Sequence, residues 1–138
     1  MNFSEKVRTA RLEAGLTQKE LALTTGIALR TIQNYESGER MPKKKSYYSL
    51  LATALGMEEE ILLDEKAEFV LKAGEMYGPA GQRQAEELVK EVTGLFAGGE
   101  LEEEDKEAMF RAIQDAYWMA KDMNRRHTPK KYREGDRT

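Results

Sequence analysis

The sequence has no cysteine, a single histidine (His127) and a single tryptophan (Trp118). Without cysteine there is no disulfide, no thiolate nucleophile and no sulfur ligand for zinc. A secreted domain of this size usually relies on disulfide staples, so the expected location is the cytoplasm. With His127 set in a basic stretch, a zinc site of the Cys/His type is not expected either. Long apolar runs are missing too. None approaches the length of a membrane span, and Met1-Asn2-Phe3-Ser4 lacks the basic-then-apolar order of a signal peptide, so neither leader nor anchor is expected. Glycine-rich phosphate loops and nucleophile elbows are absent. The densest carboxylate cluster, Glu102-Glu103-Glu104-Asp105, reads as a solvated charge run rather than an acid/base pair. The chain is therefore expected to be no enzyme and to hold no cofactor or metal. Alternating apolar and polar residues between hairpin turns are lacking as well, which leaves an all-α fold.

What the sequence does have is charge, unevenly spread. With 34% charged and 40% apolar residues, it has the composition of a soluble, helical protein. Its 138 residues leave room for one ordinary domain or two small ones. The net charge of −3 conceals three blocks. Residues 1–57 hold nine Lys/Arg against five Asp/Glu, residues 58–120 six against seventeen, and residues 121–138 seven against three. A basic head, an acidic middle and a basic tail point to different partners for different segments, with an anionic partner at the head.

Helical periodicity and its punctuation divide the chain further. A first helix is expected from about Ser4 to Ala14, with Phe3, Val7, Ala10 and Leu12 as apolar positions and Gly15 as its end. Thr17 and Glu20 form a capping box that opens a second helix, Gln18 to Thr24. Gly26 follows where a left-handed backbone lets the chain turn sharply. A third helix runs from Leu29 to Glu36, with Ile32 and Tyr35 on one face, and ends before Gly38. After the loop "ERMPKKK", a fourth helix from Ser46 to Leu55 carries Tyr47, Leu50, Leu51, Ala54 and Leu55 on one stripe, and "MEEEILL" reads as a short fifth. Beyond Asp64 a helical period continues through Phe69, Ala73, Met76 and Tyr77 until Gly78-Pro79 breaks it. Pro79 to Ala97 presents Ala85, Leu88, Val89, Val92, Leu95 and Phe96 on one face. Gly98-Gly99 turns the chain into a last helix, Glu102 to Asn124, whose face reads Met109, Ile113, Ala116, Tyr117 and Ala120. Two amphipathic helices joined by a short glycine turn make a helical hairpin.

The second and third helices, joined by a tight glycine turn, form a helix-turn-helix. In such a motif the second helix fits the major groove of DNA while the first braces it across the backbone. The string "RLEAGLTQKELALTTGIALRTIQNYESGERMP", followed by "LLATALG", closely resembles the lambda-repressor and Cro-like helix-turn-helix family, often called the XRE family. Arg11, Gly15, Leu16, Thr17, Gln18, Leu21, Ala22, Gly26, Ile27, Ile32, Glu36, Gly38 and Pro42 carry the resemblance, which covers about Phe3 to Leu63. It implies a five-helix DNA-binding domain over residues 1–64 and double-stranded DNA as the partner.

Residue roles follow from that resemblance. Arg11 and Glu36 stand at positions that pair across the first and third helices, fixing the angle of the third. Gln18, at a helix start that already favours anions, bonds a phosphate and braces a base-reading side chain. The recognition surface falls on Ala28, Leu29, Arg30, Gln33 and Asn34. Arg30 suits a bidentate contact to guanine, Gln33 and Asn34 can read adenine or bond a phosphate, and Ala28 and Leu29 can touch thymine methyls. Ser37, Arg40, Lys43, Lys44 and Lys45 flank the groove, where they would neutralise phosphates. The sequence departs from the family at Ala28, where a Ser or Thr cap is common; losing the cap costs about 1 kcal/mol.

Residues 65–126, a dimerisation or partner-binding segment, lie outside the resemblance. Their apolar faces form a core within one chain or one shared between two. One recognition helix reads too few base pairs to single out a site, so a homodimer on a palindromic operator is expected. Leu88, Val92, Phe96, Phe110, Ile113, Tyr117 and Trp118 are the candidate dimer or partner surface. Phe110, Trp118 and Met119 fall off the main stripe of the last helix, and either meet a partner or pack around Phe69 and Tyr77. For the basic tail, residues 127–138, disorder is the default, with DNA contact and packing on the acidic hairpin left open. The leading expectation is a sequence-specific bacterial or phage transcription regulator, a repressor acting as a dimer. The alternative is an antitoxin-type protein whose C-terminal segment binds a protein partner while the N-terminal domain autoregulates. A self-cleaving repressor is not expected, because no strand-rich segment after Asp64 could hold a Ser/Lys dyad.

Overall fold

A computed structural model of the protein describes residues 1–127, so the basic tail beyond His127 lies outside the described residues. Seven helices follow one another: α1 (Phe3–Glu13), α2 (Gln18–Thr25), α3 (Leu29–Ser37), α4 (Lys45–Leu55), α5 (Glu59–Leu62), α6 (Glu65–Phe96) and α7 (Glu103–His127). Among the described residues there is no strand, and no helix is long and apolar enough to cross a membrane. The architecture is the expected one, a five-helix unit followed by further helices.

Short polar side chains start three of these helices. The Asn2 side chain accepts the Glu5 N–H at 2.9 Å, and Asp64 accepts the Ala67 N–H at 3.0 Å. At α2 both halves of the capping box are made: Thr17 Oγ1 accepts the Glu20 N–H at 3.0 Å, and Glu20 Oε1 accepts the Thr17 N–H at 3.1 Å. Each satisfies a donor that the helix itself leaves unpaired.

The first core gathers Phe3, Val7, Leu21, Ile27, Ile32, Tyr35, Tyr48, Leu51, Leu55 and Leu62. Phe3 meets Tyr35 and Tyr48 edge-on, with centroids 5.7 and 5.6 Å away. Two expected core positions face water instead. On α1 the buried line is Phe3, Val7 and Arg11, which turns Leu12 outward. On α4 it is Tyr48, Leu51, Ala52 and Leu55, so Leu50 is exposed and Tyr47 is only half-buried. Both apolar sets have helical spacing; the bulk of Tyr48 beside Phe3 decides between them.

α6 links the two cores. Ala67 is buried in the first, so that core extends past residue 64, whereas Phe69, Val70 and Ala73 belong to the second. At Gly78 the backbone leaves the helix (φ 73°, ψ −166°), a conformation open essentially to glycine alone, and Pro79 restarts it. The break lets residues 65–77 and 79–96 contribute separate walls to one core, with α7 as the third. Phe69 sits at its centre, edge-on to Phe110, Tyr117 and Trp118 at 5.7, 5.2 and 5.2 Å.

That third wall draws the residues of the candidate dimer surface into a core within the chain. Val92, Phe96 and Phe110 are buried, and Leu88, Ile113, Tyr117 and Trp118 pack against the same core from within the chain. The reading in which Phe110 and Trp118 pack around Phe69 and Tyr77 is the one the structure adopts. The inner face of α7 runs through Phe110, Ile113, Gln114, Tyr117, Trp118 and Lys121, while Met109, Ala116, Met119 and Ala120 look outward. On α6, Leu95 is likewise exposed.

Candidate nucleic-acid interface

The turn between α2 and α3 is closed by two residues. Gly26 adopts a left-handed φ of 77°, and the Thr25 hydroxyl donates to the Leu21 carbonyl at 2.7 Å while accepting the Ile27 N–H at 3.2 Å. Thr25 carries no mark in the sequence beyond its place before the glycine, and its role was not foreseen.

The angle of α3 is set by a buried ion pair. Arg11 Nε and Nη2 donate to the two oxygens of Glu36 at 2.7 and 2.9 Å, and Arg11 Nη1 donates to the Leu16 carbonyl at 2.8 Å. The side chains are 10% and 3% exposed, so the pair is desolvated and depends on its hydrogen bonds. Hydrogen bonding to Glu36 raises the pKa of Arg11 above its ordinary value, against the opposing effect of burial. Gln18 Nε2 donates to the same Glu36 at 3.3 Å. Its amide therefore braces the ion pair, at the N-terminus of α2 where backbone N–H groups are open to an anion.

Beyond this lock, α3 presents an outer face, at whose end the Ser37 hydroxyl donates to the Asn34 carbonyl at 3.1 Å and accepts the Glu39 N–H at 3.3 Å. Ala28, Leu29, Arg30, Gln33 and Ser37 are exposed and Asn34 is half-buried, while Ile32 and Tyr35 lie in the core. Ala28 is the N-cap and makes no side-chain capping bond, as its methyl group requires. The first turn of α3 thus offers unbonded N–H groups next to Arg30.

The loop after α3 differs from expectation at one residue. Arg40 does not stand free for a phosphate: its Nε and Nη2 donate to Glu86 of α6 at 3.0 and 3.2 Å, and the Met41 N–H donates to Glu86 as well, at 3.0 Å. Glu86 is buried, so it needs this neutralisation. The bond to Glu86 in turn raises the pKa of Arg40. Sequence spacing could not connect two residues so far apart, but a signal existed in a carboxylate set among Ala85 and Val89 on an apolar stripe.

Lys43, Lys44 and Lys45 remain exposed. Lys44 is the N-cap of α4 and Lys45 its first residue, and the first turn holds no acid. Cations at a helix N-terminus oppose the helix dipole and destabilise the helix. Local stability therefore does not explain them. Two sources of positive potential coincide beside α3, an arrangement suited to a phosphate.

The comparisons with known proteins agree with this geometry. Residues 7–62 match the helix-turn-helix family model. The immunity repressor protein of Bacillus phage phi105 is 25% identical over 143 aligned positions, covering 99% of both chains. The cryptic phage CTXphi transcriptional repressor RstR of Vibrio cholerae is 33% identical over 70 positions, 46% of this chain and 63% of that repressor. No solved structure matches. With the ion-paired α3, the glycine turn and the family match all falling on the same stretch, residues 7–62 belong to the lambda-repressor/Cro-like family of DNA-binding helix-turn-helix domains.

Proposed function

We propose that the chain is a sequence-specific transcription repressor of a bacterium or phage, which binds a two-fold operator as a homodimer in the cytoplasm. The observation that carries this reading is the division of α3: one side is locked to α1 through Arg11 and Glu36, and the other is exposed and polar. A helix held at a set angle with free side chains on its outer face is a reading head. Similarity to the phi105 immunity repressor across both halves extends the repressor reading to residues 65–127. In this account Arg30 forks to guanine, Gln33 and Asn34 meet adenine or phosphate, and Ala28 and Leu29 touch thymine methyls. Gln18, Ser37, Lys43, Lys44 and Lys45 hold phosphates.

Selection of bound duplexes from a random pool tests it. The expected consensus is palindromic, with half-site centres about 34–36 Å apart. Failure to enrich any sequence would overturn the specific-repressor reading, and a lone asymmetric half-site would overturn its dimeric part.

A further inference from the structure

We propose that the cleft between the two halves of the chain is the binding site of a small organic anion, an apolar body carrying one carboxylate. Such a ligand is distinct from DNA, and only its effect on DNA binding rests on the repressor reading above.

The cleft has a volume of about 300 Å³ and opens where the start of α1, the loop after α3 and α6 come together. That is the small end of ligand sites, which run from about 300 Å³ upward and favour domain boundaries. Phe3, Met41 and Val89 give it apolar walls. Gly94 leaves it open on the α6 side, since a Cβ there would meet nothing within 4 Å. The backbone at Gly94 is helical, so no turn requires the glycine, and helix propensity disfavours it.

Charge decides what fits. Arg40, Lys66 and Lys90 line the cleft together with Asp64 and Glu86. Both carboxylates are already used. Glu86 accepts from Arg40 and from the Met41 N–H, and Asp64 accepts from Lys6 Nζ and the Ala67 N–H. The cations are not used in the same way. Lys90 comes no nearer than 3.9 Å to Glu39, and both side chains are largely exposed. Lys66 lies over the Phe110 ring at 5.9 Å and pairs with no carboxylate among the described residues. Arg40 spends Nε and Nη2 on Glu86, and no described residue accepts from Nη1. An inorganic anion would leave the apolar walls wet, and a neutral apolar molecule would leave these cations without a partner. An organic carboxylate meets both demands.

Arg40 and Met41 belong to the loop that continues into Lys43, Lys44 and Lys45, whereas Lys66 and Lys90 belong to α6. A carboxylate held from both sides ties the loop to α6 more firmly than Glu86 does alone. Ligand and DNA then favour the same arrangement of the loop, and each raises the affinity for the other.

The full-length chain is titrated with benzoate, phenylacetate and hexanoate in turn, and with the uncharged amide of each. The backbone amides of Gly38 and Gly94, which line the cleft, are followed by NMR. At least one carboxylate is expected to shift both resonances saturably, and its amide to bind about tenfold more weakly. Gly94→Leu, which fills the opening, should abolish the shift at Gly38 with the helical circular dichroism unchanged. Lys66→Gln combined with Lys90→Gln should lower carboxylate binding to the level of the amide. No saturable shift with any of the three, or a shift that survives in Gly94→Leu, would overturn the site. Equal binding of acid and amide would overturn the anionic ligand. Random duplex is then titrated with and without the carboxylate at constant ionic strength, and tighter binding is expected with it. Unchanged or weaker binding would overturn the coupling to DNA and leave the ligand site standing. Failure of operator selection alongside these shifts would overturn the repressor reading alone.

Discussion

Around Phe3, Leu21, Ile32, Tyr48 and Leu51, five short helices are joined by directional bonds: a capping box, a threonine clasp at the turn, and the Arg11–Glu36–Gln18 cluster. Around Phe69 the arrangement is different. Phe110, Tyr117 and Trp118 meet Phe69 by ring edges, and Lys72 and Lys121 lie over Trp118 and Tyr77 at 5.2 and 5.3 Å. Tyr117 adds a hydrogen bond to the Gly81 carbonyl at 3.2 Å. Aromatic packing is strong but tolerant of small rotations, whereas a forked ion pair holds one angle. The angle-fixing bonds lie in the helix-turn-helix half, and the tolerant packing lies in the half that follows it. Between the two halves stands Glu86, a directional bond from the second region to the loop of the first.

The largest effect that could break this contrast is expected at Glu36. Glu36→Gln leaves the buried Arg11 charge without its partner charge and should cost roughly 3 kcal/mol of stability, read by urea unfolding. It should also weaken operator binding without removing any DNA contact, because the angle of α3 is lost. A variant as stable as wild type would show that the ion pair does not hold the helix.

Arg30→Ala comes next and separates reading from holding. Binding to the selected operator should fall by about 1–3 kcal/mol, with preference relaxed at one base pair and random duplex bound as before. Lys44→Ala should weaken both duplexes alike and make the salt dependence shallower by about one unit. Equal behaviour of the two variants would dissolve the division between α3 and the lysine loop.

Glu86→Gln probes the bond between the halves. Hydrogen bonds to a charged group are worth about 1.5–3 kcal/mol, and since Arg40 keeps partial access to water, a loss near the lower end is expected. DNA affinity should fall for operator and random duplex together, as the loop bearing Lys43 to Lys45 loosens. Unchanged affinity on both would mean that the second half does not position that loop.

The same contrast explains what could be read in advance. The first region is written in local signals: Thr17 with Glu20, Gly26 after α2, and apolar spacing that allows one inward face per short helix. Its errors, Leu12 and Leu50, arise where two stripes have equal spacing and only the partner's shape chooses between them. In the second region the choice is wider. α7 carries one stripe through Met109 and Ala116 and another through Phe110 and Trp118, both helical in period. The larger rings take the core, and this became decidable only once the bend at Gly78 had brought a third wall to Phe69. Arg40 illustrates the remaining difficulty. A lone arginine in a basic loop has the look of a phosphate ligand, and its partner is 46 residues away.

The smallest expected effect sharpens the comparison from inside the first core. Tyr48 is fully buried, and its hydroxyl has no hydrogen-bonding partner among the described residues, in a region otherwise built on satisfied polar groups. Tyr48→Phe keeps the ring edge-on to Phe3 and removes an unpaired polar atom, so at neutral pH the variant should match wild type or gain up to about 1 kcal/mol. Burial also raises the pKa of this phenol above its ordinary value of 10.0. The sign then follows. Below pH 10 the phenol is neutral in both folded and unfolded chains; above it the unfolded chain ionises while the folded one holds its proton, so stability falls as pH rises. Wild type should lose stability to urea above about pH 10 more steeply than Tyr48→Phe does, the other alkaline-titrating groups being common to both. A variant clearly less stable at pH 7 would mean that the hydroxyl is satisfied after all, and an alkaline slope equal to that of wild type would mean that the phenol ionises as readily in the folded chain as in the unfolded one.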